Sequence, residues 1–172
     1  PFAKTILQAK DIAPVISKPK VWYTKNKKRL SRIPATRLAV EALCLAATDT
    51  DAAAQVASVA AKRLGPMTRT LVWGRIGYLA ALNHDPKALS YYARAGSTLK
   101  DNPLLINKDA VLAWHVRAGL HVSDWHEALK GIESMPASLQ TQPAWRYWKA
   151  RALSATGKKT AAKKLYQSLA KH

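Results

Sequence analysis

Ten carboxylates and five histidines are the side chains in this 172-residue chain best equipped for acid–base work or metal binding. Their spacing speaks against both. Asp49, Asp85 and Asp124 stand just ahead of helical stretches, where a short acceptor side chain caps the first free N–H groups. Glu41 lies among Leu38, Ala39, Ala42 and Leu43, where burial would raise its pKa. A lone carboxylate on a packed helix is expected to bond an arginine, and Arg37 sits one turn earlier. His84, His115, His121, His126 and His172 show no metal spacing with carboxylate support; His121 and His126 lie five apart across a turn. No serine occupies a nucleophile-elbow context and no glycine-rich phosphate loop is present. The single cysteine, Cys44, excludes an internal disulfide and a cysteine-based metal site, and it reads as a small buried apolar residue. No catalytic residue, cofactor or metal is therefore assigned.

The cations carry more information. The net charge is +18, which points to an anionic partner or surroundings: nucleic acid, a membrane surface or an acidic polymer. Residues 1–32 hold nine lysines and arginines against Asp11, and residues 143–172 hold eight with no acid. Arg117, Arg146, Arg151, Lys163 and Lys164 are the candidate surface contacts. Arg117 and Arg151 occupy matching places in two repeats. Each could stack on a tryptophan, pair with a carboxylate or face an inner surface. Trp73, Trp114, Trp125, Trp145 and Trp148 fall on helical stripes and read as packing anchors between helices.

The elements that position these residues repeat. Trp114 maps onto Trp148, Arg117 onto Arg151, Ala118 onto Ala152, Ala128 onto Ala162, Ile132 onto Tyr166 and Met135 onto Leu169, each shifted by 34. A period of this length marks stacked helix pairs, which cannot bury their apolar faces alone. A looser copy spans Leu71 to Ala95. The expected fold is all-α: a right-handed α-superhelix of stacked antiparallel helix pairs, a TPR-like solenoid. Residues 1–34 are expected to form an irregular basic arm with a short helix before Pro14, anchored by Trp22 and Tyr23. Residues 35–172 are expected to form the superhelical domain. Gly65-Pro66 reads as a helix stop, Asp85-Pro86 as N-cap plus first helical proline, and Asp124 with Glu127 as a capping box. Gly74 and Gly77, mid-helix, predict close approach by a neighbour. Lys100 to Asn107 reads as a loop. No run reaches the ~18–20 apolar residues of a membrane span, and no charged segment followed by an apolar core opens the sequence at Pro1.

One ordered set of residues carries a resemblance. It begins with Asn107-x-Asp109, Ala113-Trp114-x-x-Arg117-Ala118, Asp124-Trp125, Ile132 and Met135-Pro136. It continues with Pro143-Ala144-Trp145-Arg146-Tyr147-Trp148-Lys149-Ala150-Arg151-Ala152-Leu153, Gly157, Ala162, Leu165-Tyr166 and Leu169-Ala170. Together these resemble the α-superhelical region of the soluble lytic murein transglycosylases, well from Leu71 to His172 and weakly before. The resemblance implies a periplasmic bacterial protein whose helices form a ring or horseshoe. It also implies a lysozyme-like domain that cleaves peptidoglycan strands to a 1,6-anhydro product with one glutamate, its motif a Glu-Ser pair followed downstream by a Gly-Leu-Met-Gln stretch. Glu133-Ser134 is the sole Glu-Ser pair here and lacks that context, so no catalytic residue carries over. The implied role is a non-catalytic scaffold that positions the catalytic domain and contacts peptidoglycan or partner cell-wall proteins. The alternative is a TPR-like protein-binding scaffold unrelated to cell-wall cleavage. Nucleic-acid binding ranks last, because regular base-reading pairs at fixed repeat positions are missing.

Overall fold

The computed structural model describes residues 9–170, and every regular element among them is helical. In chain order these are α1 (Ala9–Ser17), α2 (Pro19–Asn26), α3 (Ala35–Leu45), α4 (Thr50–Ala61), α5 (Pro66–Leu82), α6 (Ala88–Ala95), α7 (Lys108–His121), α8 (Trp125–Glu133), α9 (Ala137–Gln140), α10 (Pro143–Ala155) and α11 (Lys159–Leu169). Two 3-10 segments, Lys27–Arg32 and Ser97–Asp101, follow α2 and α6.

The N-terminal segment departs from the irregular arm that its prolines suggest. Helix α1 runs straight through Pro14. An interior proline costs about 3 kcal/mol. Val15 beside it is completely buried, and burying a valine side chain recovers about 1.5–3 kcal/mol. Packing thus overrides the local signal. Trp22 and Tyr23 do anchor this segment: Trp22 is buried under the Arg37 guanidinium, 5.5 Å from the ring centroid, and the Tyr23 hydroxyl donates to Gln55 on α4. Val15, Trp22 and Leu30 join the same apolar core as the helices that follow.

Beyond Pro34 the helices form hairpins, α3/α4, α5/α6, α7/α8 and α10/α11, each packed on the next. Cross-hairpin contacts show antiparallel pairs. Thr70 donates to the Ala95 carbonyl at 2.9 Å, while Gly77, further along α5, meets the ring of Tyr92, earlier on α6. Arg146 at the start of α10 donates to Ser168 at the end of α11 at 2.7 Å. Helices α4 and α6 run in parallel. Lys87 bonds Asp51 at 2.8 Å and Arg94 bonds Ser58 at 2.9 Å, so α6 lies along α4 at a constant offset of 36.

One turn is built three times. After α5, α7 and α10 the chain places a residue in the left-handed region: His84 (φ 55°), Ser123 (φ 59°) and Gly157 (φ 84°). The next N–H reaches back five residues each time: Asp85 to Ala80 (2.9 Å), Asp124 to Gly119 (2.8 Å), Lys158 to Leu153 (2.8 Å). This closure satisfies the last helical carbonyls and turns the chain sharply. Ser123 and Gly157 are themselves 34 apart.

Several helix ends differ from the sequence reading. Gly65-Pro66 starts α5 rather than stopping α4, which has already ended at Ala61; a proline's missing N–H is harmless in the first turn. The Asp85 carboxylate accepts from Lys87 N–H at 2.9 Å, and α6 begins only at Ala88. Asp124 caps α8 by accepting from Glu127 N–H at 3.0 Å, but the reciprocal half of the capping box is missing. The Asp124 N–H is already committed to Gly119, and the Glu127 carboxylate instead takes Lys130 Nζ at 3.0 Å and lies 3.5 Å from His115 Nε2. Helix α9 and the Ser97–Asp101 segment occupy stretches with no helical periodicity. Asp49 caps α4 as expected, accepting from Ala52 N–H at 2.9 Å.

Close approach explains the mid-helix glycines. A Cβ on Gly74 would lie 2.5 Å from Leu99, and one on Gly77 3.0 Å from the Tyr92 ring. Gly119 is tighter in kind, because its neighbour at 3.0 Å is the backbone nitrogen of Ala128.

Candidate functional site

The arginines of the repeats stack on tryptophans. Arg94 lies 4.7 Å from the Trp73 ring centroid, and Arg151 lies 5.8 Å from that of Trp125. Arg117 lies over two indoles, 4.9 Å from the Trp114 ring centroid and 5.2 Å from that of Trp145. Such contacts are worth about 0.5–1 kcal/mol each at exposed sites. They resolve the choice for Arg117 and Arg151 in favour of stacking. The two arginines nevertheless choose different partners: Arg117 uses the tryptophan on its own helix plus one from the next hairpin, whereas Arg151 reaches back to α8.

The five candidate contacts do not form one site. Arg146 is half-buried and tied to Ser168. Lys163 and Lys164 are exposed on α11, and Arg151 is exposed over Trp125. Arg117 alone enters a concave feature, a groove of about 390 Å³ lined by His84, Asp85, Trp114, Arg117, His121 and Trp148, with alanines and Leu120 completing the wall.

This groove is a product of the repeat. The left-handed backbone at His84 and the end of α7 bring His84 and His121 together, with ring centroids 5.5 Å apart. The His84 ring also meets the edge of Trp114 at 6.4 Å. Left-handed φ is costly for a residue with a Cβ, and strain of this kind gathers at functional positions. Arg117 makes no hydrogen bond or ion pair with any described residue, and its guanidinium lies over two indole rings. The sequence reading treated Trp114 and Trp148 as packing anchors; both are half-buried, and both also line the groove. The histidines were missed because 37 residues separate them and only the stacking of turns joins them.

A second cavity of about 400 Å³ is lined by Tyr92, Ser97, Lys100, His115, Glu127 and Lys130. His115 stacks on Tyr92 with centroids 4.5 Å apart, and its Nε2 lies 3.5 Å from Glu127, which also accepts from Lys130 Nζ at 3.0 Å. Burial depresses the His115 pKa, and the opposing pull of Glu127 is weaker. Burial thus favours the neutral imidazole at His115. Burial also pushes the Tyr92 phenol above its usual range, and its hydroxyl donates to the Val111 carbonyl. This cluster ties α6, α7 and α8 together.

Glu41 is fully buried, and neither carboxylate oxygen has a hydrogen-bond partner. The expected bond to Arg37 is absent. Arg37 is drawn over Trp22 and acts on Glu41 only through its charge, which burial outweighs, so the Glu41 pKa is pushed up to about 8. Glu41 lines neither of these two cavities. Cys44 is half-buried beside it, its thiol pKa raised by burial. Among the described residues no cluster of three or more His, Cys, Asp or Glu side chains fits a metal ion, and no helix is long and apolar enough to cross a membrane. A scan against protein-family models and a search of curated proteins both find no match.

Proposed function

We propose that this chain is the non-catalytic scaffold of a peptidoglycan lytic transglycosylase: a right-handed, TPR-like superhelix acting in the bacterial periplasm. In this role it positions a catalytic domain and contacts the cell wall or partner proteins. The observation that carries the reading is the ordered set from Asn107 to Ala170, whose two halves fold as hairpins α7/α8 and α10/α11 with the same closing turn. The net charge of +18 suits a wall bearing peptide carboxylates. The test is incubation of the purified chain with sacculi. Co-sedimentation without anhydro-sugar release is expected; release of such fragments by the chain alone defeats the proposal.

The second reading, a scaffold for a protein partner, draws on one surface feature. Ile106 is 81% exposed, Met67 51% and Leu104 48%, beside the inserted 102–107 loop. That loop is held firmly, since the buried Asn102 donates to the Met67 carbonyl at 2.8 Å and accepts from Leu104 N–H. Recovery of one stoichiometric protein partner, with no sacculus binding, would favour this reading.

A further inference from the structure

The geometry points to a saccharide-binding site in the groove between the α5–α6 turn and helices α7 and α10, with a carboxylate-bearing sugar as its ligand. The proposal rests on the scaffold reading for the source of that sugar, but its chemistry stands on the groove itself.

The groove offers four kinds of contact at once. Arg117 supplies a cation that lies over the rings of Trp114 and Trp145, 4.9 and 5.2 Å from their centroids, and that makes no hydrogen bond or ion pair with a described residue. A guanidinium fixed in this way is set to bind a carboxylate through two parallel hydrogen bonds. Trp148 and Trp114 supply apolar indole surface for the C–H face of a ring. His84 and His121, paired at 5.5 Å, supply groups that donate or accept toward hydroxyls. Asp85 supplies an acceptor: one of its oxygens takes Lys87 N–H, while the other has only a distant contact with Thr50 at 3.5 Å. A sugar acid presents the complementary set of carboxylate, hydroxyls and C–H face. A nucleic-acid strand does not, because it needs a row of cations along its phosphates, and Arg117 is the one lysine or arginine among the residues lining this groove. The groove's volume of about 390 Å³ falls in the range of small-ligand sites.

The experiment titrates the purified chain with three probes and reads tryptophan fluorescence and the indole N–H resonances. The probes are a β-1,4 disaccharide of N-acetylated amino sugars carrying a lactyl carboxylate, its neutral counterpart and a dinucleotide. The acidic disaccharide should saturate and shift the Trp114 and Trp148 resonances, with the neutral sugar about tenfold weaker or more. Arg117→Met and Trp148→Ala should each lose at least about tenfold, and Arg117→Lys should lose part of the affinity because the fork is gone. Arg94→Met, which removes a guanidinium from Trp73 instead, should bind as the parent does. Melting curves report whether each variant is folded, and Arg117→Lys carries the test if Arg117→Met is not. Equal affinity for the two sugars, tighter binding of the dinucleotide, no saturable binding, or an unaffected Arg117 variant each overturns the site. Sacculus sedimentation that survives Arg117→Met with Trp148→Ala overturns the groove and spares the scaffold reading. Groove binding in a chain whose full gene encodes no glycan-cleaving domain does the reverse.

Discussion

Glu41 shows how one residue sets a condition on the whole N-terminal half. Its carboxyl is fully buried without a hydrogen bond, and its pKa is raised from 4.5 to about 8. The native state therefore keeps a proton that the unfolded chain releases above about pH 4.5. Stability depends on the protons bound in the unfolded state minus those bound in the native state, and that difference is negative between the two pKa values. Stability falls as pH rises through this window and levels off above about pH 8. The full swing is on the order of 5 kcal/mol. Glu41→Gln cannot ionise, so it should flatten this slope and be more stable than the parent at pH 8.5. Urea midpoints at pH 5 and pH 8.5 check this; parallel pH dependence in the two proteins would refute it. The sequence showed that Glu41 sits in an apolar helix, but it could not show that Trp22 would claim the face of Arg37.

At the scale of elements the hairpin turns are the instructive feature. Ser123 and Gly157 hold the same left-handed place, with the same back-reaching hydrogen bond. A Cβ in that conformation costs about 1–2 kcal/mol. Ser123→Gly should therefore raise stability by about 1 kcal/mol, and Gly157→Ala should lower it by a similar amount. Opposite shifts in chemical denaturation test the equivalence of the two turns. Gly119 is left-handed nowhere and behaves differently. Alanine there would gain about 1 kcal/mol of helix propensity, yet its Cβ would sit 3.0 Å from the backbone nitrogen of Ala128, which cannot rotate away. Gly119→Ala should lose about 2 kcal/mol net, visible as a lowered melting temperature. Much of this was readable beforehand. The 34-residue spacing of Trp114 and Trp148 located both hairpins, and Gly74 and Gly77 announced close helices. The turn at His84 was not readable, because no glycine marks it. Helix α1 was not, because the cost of Pro14 is local and the burial of Val15 is not. The groove fell between these cases: Arg117 was singled out, but His84 and His121 meet only once successive turns are stacked.

Across the whole molecule, stability should decline toward the C-terminal hairpin. One continuous apolar core runs from Val15 through the helices to Trp145. A smaller second cluster holds Leu129, Ala152, Leu153 and Ala162, with Trp125, Leu165 and Tyr166 packed partly against it. The repeat makes the comparison internal. Ile132 is completely buried and Met135 is 4% exposed, yet their counterparts Tyr166 and Leu169 are only half-buried. Ala113 is buried, while its counterpart Tyr147 is 44% exposed. In a row of stacked pairs each unit is stabilised by its neighbours, and α8 has α10 against it. Helix α11 packs against α10, and residues 158–169 carry Lys158, Lys159, Lys163 and Lys164 with no acid to offset them. Amides of α11 should therefore exchange with solvent before those of α5 and α7, by sub-global opening rather than global unfolding. Added salt should slow that exchange by screening the lysines, since the Debye length shrinks to about 3 Å at 1 M. Hydrogen exchange at low and high salt measures both effects. Uniform protection from α3 to α11 would mean that the small C-terminal cluster is as firmly coupled as the main core.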